Sequence, residues 1–251
     1  MSPAHTAITD STSSQRQACS TDPSSLQEHN HNMMNSVFDP EIGGEVPQMI
    51  EGAATIGADF KYDPAKKDWF TVTAKVASKG VGHRFPTDSP LRHLILVVEA
   101  RDERNTLLTQ VDGDRIPNWG GVGNVTFEDP NMRFYAGLPG KIFTNLLADV
   151  DTNISPTAAY WNETKYAWIG KSKDNPYDYS DTRLIPGIVD KSPYSFQVPN
   201  AGEIIVTIKL VYRFAFFDLM QEKGWHRPDI TVASKKWDCK RSQDKTSFDC
   251  K

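Results

Sequence analysis

Two segments of this chain alternate with a period of two residues, and that alternation limits what the chain can fold into. In "WFTVTAKVAS", Phe70, Val72, Ala74 and Val76 alternate with Thr71, Thr73 and Lys75. In "GEIIVTIKLVYRFAF", Ile204, Val206, Ile208 and Leu210 alternate with Ile205, Thr207 and Lys209. Successive side chains of a strand point to opposite faces, so the pattern predicts strands with one buried face. "HLILVVEARDERNTLLTQ" supplies a strong buried strand, a polar turn and a returning strand. "MIEGAATIGADFKYDP" predicts a first strand, and "GKIFTNLLADV", "TAAYWNETKYAWI", "YSFQVP" and "DITVAS" predict further short ones. "FFDLMQEKGW" predicts one or two helical turns closed by Gly224. Many short strands separated by Gly, Pro, Asn and Asp predict an all-β fold: an antiparallel β-sandwich with long loops and short helical turns.

The expected organisation is a flexible polar arm over residues 1–36, a β-sandwich domain over 37–237 and a C-terminal tail over 238–251. The arm is rich in Ser, Thr, Asn and Gln, and has too little apolar surface to offset its own ordering entropy. Cys239 and Cys250 bracket a short polar loop, "CKRSQDKTSFDC", a spacing suited to a disulfide that would close the tail. Pairing them leaves Cys19 odd and favours an oxidising compartment.

Several function classes are excluded by pattern. The net charge is −4 and no Lys/Arg run suggests a nucleic-acid groove. No apolar stretch approaches the roughly 20 residues of a membrane helix. The first residues, "MSPAHTAITDSTSSQRQ", lack the basic and apolar regions of a secretory signal. There is no Gly-x-Ser-x-Gly elbow, phosphate loop, dinucleotide fingerprint, Cys-x-x-Cys or Cys-x-x-Cys-His. The chain is therefore expected not to be an enzyme of those types, and it cannot attach c-type haem covalently.

Histidines are the remaining candidates for chemistry. His29 and His31 form His-x-His in "EHNHNMMN", where both rings of an extended backbone point to one side and could ligate a metal or haem iron. His83 lies in "GVGHRFPTDSPLRH", and is either a ligand or a side chain that holds its loop. Gly82, Phe85, Pro86 and Thr87 are expected to shape that loop, and Arg92 to pair with a carboxylate at the sheet end. "DVDTN" and "DGD" lack EF-hand spacing and are expected to be solvated turns. The loop aromatics between Trp119 and Trp168 are expected mainly to glue loops onto the sandwich.

Residues 48–108 resemble the non-haem β-domain at the C-terminal side of many bacterial multihaem c-type cytochromes. Those domains carry Gly-His, then Pro-Thr-Gly, Pro and Arg, then a strand and an Asp-x-x-Gly turn. "VGHRFPTDSPLRHLILVVEARDERN" follows this order, with Asp88 replacing the usual Gly and Arg104-Asn105 standing in the turn. Later blocks, among them "AGLPGKIFTNLLAD", "DKSPYSFQVP" and "IKLVYRFAFFDLMQEKGW", are similar in the same order, and "EHNHNMMN" resembles the family's His-x-His segment. The resemblance implies a periplasmic or extracellular, redox-associated domain that packs beside haem. His29, His31 and, less directly, His83 would then be distal ligands to haem iron. With no attachment motif, haem would be noncovalent or supplied by a partner chain, a multihaem cytochrome or another redox protein; self-association stays open. The alternative is an extracellular surface-binding or adhesion module that uses the loop aromatics and has no redox role.

Overall fold

The computed structural model describes residues 50–66, 68–87, 89–121, 134–157, 162–166, 181–198, 202–224, 228–244 and 246–251. The N-terminal arm, with Cys19, His29 and His31, lies outside the described residues, as do Asp88 and His226. The strands are β1 (Ala54–Asp63), β2 (Trp69–Ser78), β3 (His93–Asp102), β4 (Gln110–Asp112), β5 (Gly140–Phe143) and β6 (Leu147–Asp149), followed by β7 (Thr164–Tyr166), β8 (Asp190–Gln197), β9 (Glu203–Arg213), β10 (Ile230–Arg241) and β11 (Phe248–Cys250). Among the described residues two short α-helices, α1 (Asn118–Gly121) and α2 (Phe217–Glu222), lie in the connections. One sheet has the order β1-β2-β8-β4, a second β11-β10-β9-β3-β5, and β6 pairs with β7 separately. Every strand pair is antiparallel. The architecture is the expected all-β sandwich.

The period-two residues form its interior. Phe70, Val72, Ala74 and Val76 of β2 are fully buried, as are Ile204, Val206, Ile208 and Leu210 of β9. Register places Leu94, Leu96, Val98 and Ala100 of β3 opposite Tyr212, Leu210, Ile208 and Val206, so these residues share the inner face. Aromatic contacts join the sheets at one edge: Phe60 of β1 meets Trp237 of β10 at 5.7 Å, and Phe70 meets Phe248 of β11 at 5.2 Å.

β3 also buries its other face. Ile95 and Val97 pack there with Val211 and Ile142, and are covered by Ile116, Tyr135, Trp119 and Leu138 from the connections. Gly140 permits this second layer. A Cβ there would overlap the Leu96 carbonyl oxygen and come within 2.9 Å of the Ile116 side chain.

Three elements differ from the sequence reading. The returning strand after β3 makes one bridge, Arg101 to Leu107, and then crosses to the other sheet, where β4 pairs with β8. A turn built on Asp102, whose carboxylate accepts from the Arg104 and Thr106 amides, directs the crossing. The last strand continues past "DITVAS" to Arg241, so residue 237 lies inside β10 and the tail is the outer hairpin of the sheet. A bulge between Thr231 and Ala233 breaks the alternation, and Lys235 then lies over the Trp237 ring at 5.0 Å on a face that otherwise turns inward. α2 ends as expected, with Gly224 in the left-handed region (φ 64°).

Gly140→Ala should destabilise the domain by more than about 3 kcal/mol, because backbone rather than a movable side chain blocks the new methyl group. Urea unfolding followed by tryptophan fluorescence measures this. A loss below about 1 kcal/mol would mean that β5 does not approach β3 this closely.

Candidate functional site

The connection from β2 to β3 carries the "GVGHRFPTDSPLRH" motif. Gly80 turns the chain in the left-handed region (φ 69°), and the exposed Gly82 and His83 follow. Phe85 and Pro86 are buried and joined by a cis peptide bond. The Phe85 amide donates to the Leu184 carbonyl at 2.9 Å, and the Leu184 amide donates back at 2.8 Å. Arg84 reaches Asp181 at 3.3 Å, and Asp181 also accepts from Arg183 Nε at 2.8 Å and Nη2 at 2.6 Å. Thr87 is half-buried. The loop is therefore fastened to segment 181–184 through Arg84 and Phe85, and His83 is exposed beside them. Its one described polar contact is Nδ1 to the Arg84 carbonyl oxygen at 3.3 Å.

Asp181 is the ionic centre of this attachment. Burial opposes its ionisation, but the Arg183 hydrogen bonds and the charges of Arg183 and Arg84 outweigh it and hold the carboxyl below its ordinary range. Arg92 is almost completely buried; its amide donates to Ser89 and its carbonyl accepts from Thr144 Oγ1.

The buried residue that the motif did not single out is His93, at the start of β3. It is fully buried, stacked on Phe216 at 5.3 Å and edge-on to Trp119 at 6.4 Å. Nδ1 donates to the Leu91 carbonyl at 3.1 Å. Directly opposite on β9 is Arg213, whose Nε and Nη2 each donate to Asp229 at 2.8 Å. Both partners of that pair are buried, and Arg213 Nη1 also donates to the Gly120 carbonyl at 3.3 Å. Burial, then the Arg213 charge, pushes the His93 pKa down to about 3, so the ring stays neutral. Its place at the start of an unbroken apolar strand was the signal for burial.

Other candidates resolve into structural parts. Cys239 and Cys250 form a disulfide between directly opposed residues of β10 and β11. Asp149 of "DVDTN" is consumed by its own turn: the Thr152 amide, the Asn162 side chain, the Thr152 hydroxyl and the Asp151 amide donate to it, and its pKa falls to about 2. Among the described residues no group of three or more His, Cys, Asp or Glu could hold a metal ion. Trp119 and Tyr135 pack against the outer face of β3. Tyr160, Trp161 and Trp168 lie outside the described residues.

The buried imidazole predicts a pH dependence. Above the ordinary histidine pKa of 6.5, His93 is neutral in both folded and unfolded chains and contributes no slope. Below 6.5 the unfolded chain binds a proton that the folded chain refuses down to about pH 3. Stability is thus lost as pH falls through this window, by up to about 1.4 kcal/mol per pH unit. His93→Phe should cost stability at pH 7.5 through the lost Leu91 hydrogen bond, and should flatten the decline between pH 6 and 4.5. Urea midpoints of both proteins across that range test this; parallel curves would refute a neutral buried His93.

No protein-family model matches this chain, and no curated protein matches it. Among solved structures it is similar to a penta-haem cytochrome c552 from Thermochromatium tepidum, with 16% identity and a TM-score of 0.50. The match covers 85% of this chain and 48% of that one, so this chain spans about half the length of the cytochrome. At that identity the likeness is one of fold: the chain has a distant structural relation to a multihaem cytochrome.

Proposed function

We propose that this chain is an accessory β-domain of multihaem electron transfer, which docks on a haem-bearing chain and lends it a histidine ligand. The observation that carries the reading is the fold shared with a penta-haem cytochrome over 85% of this chain. The attachment of the His83 loop supports it. His83 is exposed, and its Nδ1 faces a carbonyl oxygen, the arrangement that orients an imidazole for coordination through its other nitrogen. Haem would come from the partner, since the sequence has no Cys-x-x-Cys-His. The Cys239–Cys250 disulfide suits a periplasmic or extracellular setting. His29 and His31 are the further ligand candidates, by the sequence resemblance.

The test is titration of a multihaem c-type cytochrome that has a five-coordinate haem with the purified chain, followed by visible absorption and sedimentation. The expected result is a complex in which that haem becomes low-spin. His83→Ala should still form the complex without the spectral change. If that variant retains the change, His29→Ala and His31→Ala identify the donor. No complex and no spectral change with the wild-type chain would sink the reading.

A further inference from the structure

We infer that a groove beside the His83 loop receives the propionate edge of a haem held by the docking partner. The inference rests on the docking reading above and names the surface through which docking occurs. The groove has a volume of about 300 Å³ and lies between Arg84 and segment 181–191. One part of its lining is apolar. Ile185, Ile188 and Val189 line it and are 37%, 55% and 47% exposed. A tight turn, with the Ile188 amide donating to the Ile185 carbonyl and Gly187 at φ 74°, holds all three at the surface. Single exposed aliphatic residues are ordinary on a protein surface, whereas three within five positions of one groove mark a contact surface.

The rest of the lining carries an excess of positive charge. Arg84, Arg183 and Lys191 face two carboxylates, Asp181 and Asp190. Arg84 and Arg183 share the single carboxylate of Asp181, while Asp190 is engaged by a further cation, Lys141, at 2.5 Å. This local excess stands on a chain whose net charge is −4. The groove therefore fits an occupant that is anionic along one side and apolar along the other. A haem edge has that chemistry: two propionate carboxylates beside an apolar porphyrin rim. Arginine is suited to the carboxylates because its planar fork donates two parallel hydrogen bonds. Arg84 is the available fork, since its side chain is 37% exposed and Asp181 keeps Arg183 as a partner when Arg84 turns outward.

The experiment uses the full chain and ferric protoporphyrin carrying two imidazole ligands, so that histidine coordination contributes nothing. Amide shifts in nitrogen-15 spectra should concentrate at Arg84 and at residues 183–191. Arg84→Gln, at a half-buried position, and Ile188→Ser, at an exposed one, should each weaken binding by about fivefold, the size of one solvent-exposed contact. The propionate dimethyl ester should bind more weakly than the free acid, and His83→Ala should bind like the wild type. Absence of binding, unchanged affinity in both variants, or an ester that binds as tightly as the acid would overturn the assignment. So would an acidic peptide without haem that binds the groove equally well. The two readings fail separately. If a multihaem cytochrome binds the wild type and Arg84→Gln equally, docking survives and the groove assignment falls. If the cytochrome does not bind at all, docking falls with it.

Discussion

Strand β3 is apolar on both faces, and most of the remaining architecture answers that constraint. Its inner residues, Leu94, Leu96, Val98 and Ala100, are satisfied by the facing sheet and by β9. Its outer residues, Ile95 and Val97, would meet water in a simple two-layer sandwich. The connections prevent this by folding back as a partial third layer, with Ile116, Trp119 and Tyr135 as its apolar side chains. The described parts of these connections, around Ile116, Trp119, Tyr135 and Leu138, are therefore packed parts of the domain. Burial at roughly 25 cal/mol per Å² repays the ordering of segments that lack a regular ladder of their own.

The third layer encloses polar groups at the end of β3 and β9. Arg213 leaves the sheet next to His93 and is held by both carboxylate oxygens of Asp229, by the Gly120 carbonyl and by the Tyr135 ring, 5.6 Å from its guanidinium. A buried ion pair contributes little net stability, because desolvation offsets attraction, yet leaving one member alone is costly. The cluster thus acts mainly to select one arrangement: Arg213 finds its full set of acceptors only when α1 and the segment before β10 are both docked. His93 stays neutral beside it, first because the ring is buried and then because a second cation would adjoin Arg213.

What could be read from the sequence follows how cleanly each residue obeyed one rule. β2 and β9 were legible because every inward residue is apolar and most outward ones are polar. The disulfide was legible because the loop between Cys239 and Cys250 matches a hairpin of β10 with β11. The second half of β10 was hidden by the bulge after Thr231 and by Lys235, whose ammonium lies over the Trp237 ring. The crossing of β4 to the other sheet was hidden because a polar turn specifies a reversal without naming the strand that receives it. His93 was misplaced by its polarity, although its neighbours in "HLILVVEA" already indicated burial. At the candidate site the motif marks one loop, but the segment that anchors it lies about a hundred residues away, and no local pattern predicts that pairing.

That anchoring bears on the role of His83. If the ring held the loop in shape, it would have to be buried or strongly bonded. It is exposed instead, with one contact at 3.3 Å, near the limit of a useful hydrogen bond. The structural work is done by its neighbours: Phe85 and Pro86 through burial, the paired amides of Phe85 and Leu184, and Arg84 through Asp181. The fold thus presents an exposed imidazole on a fastened loop whose shape rests on its neighbours. Arg84 and the exposed Ile185, Ile188 and Val189 line the groove beside that loop.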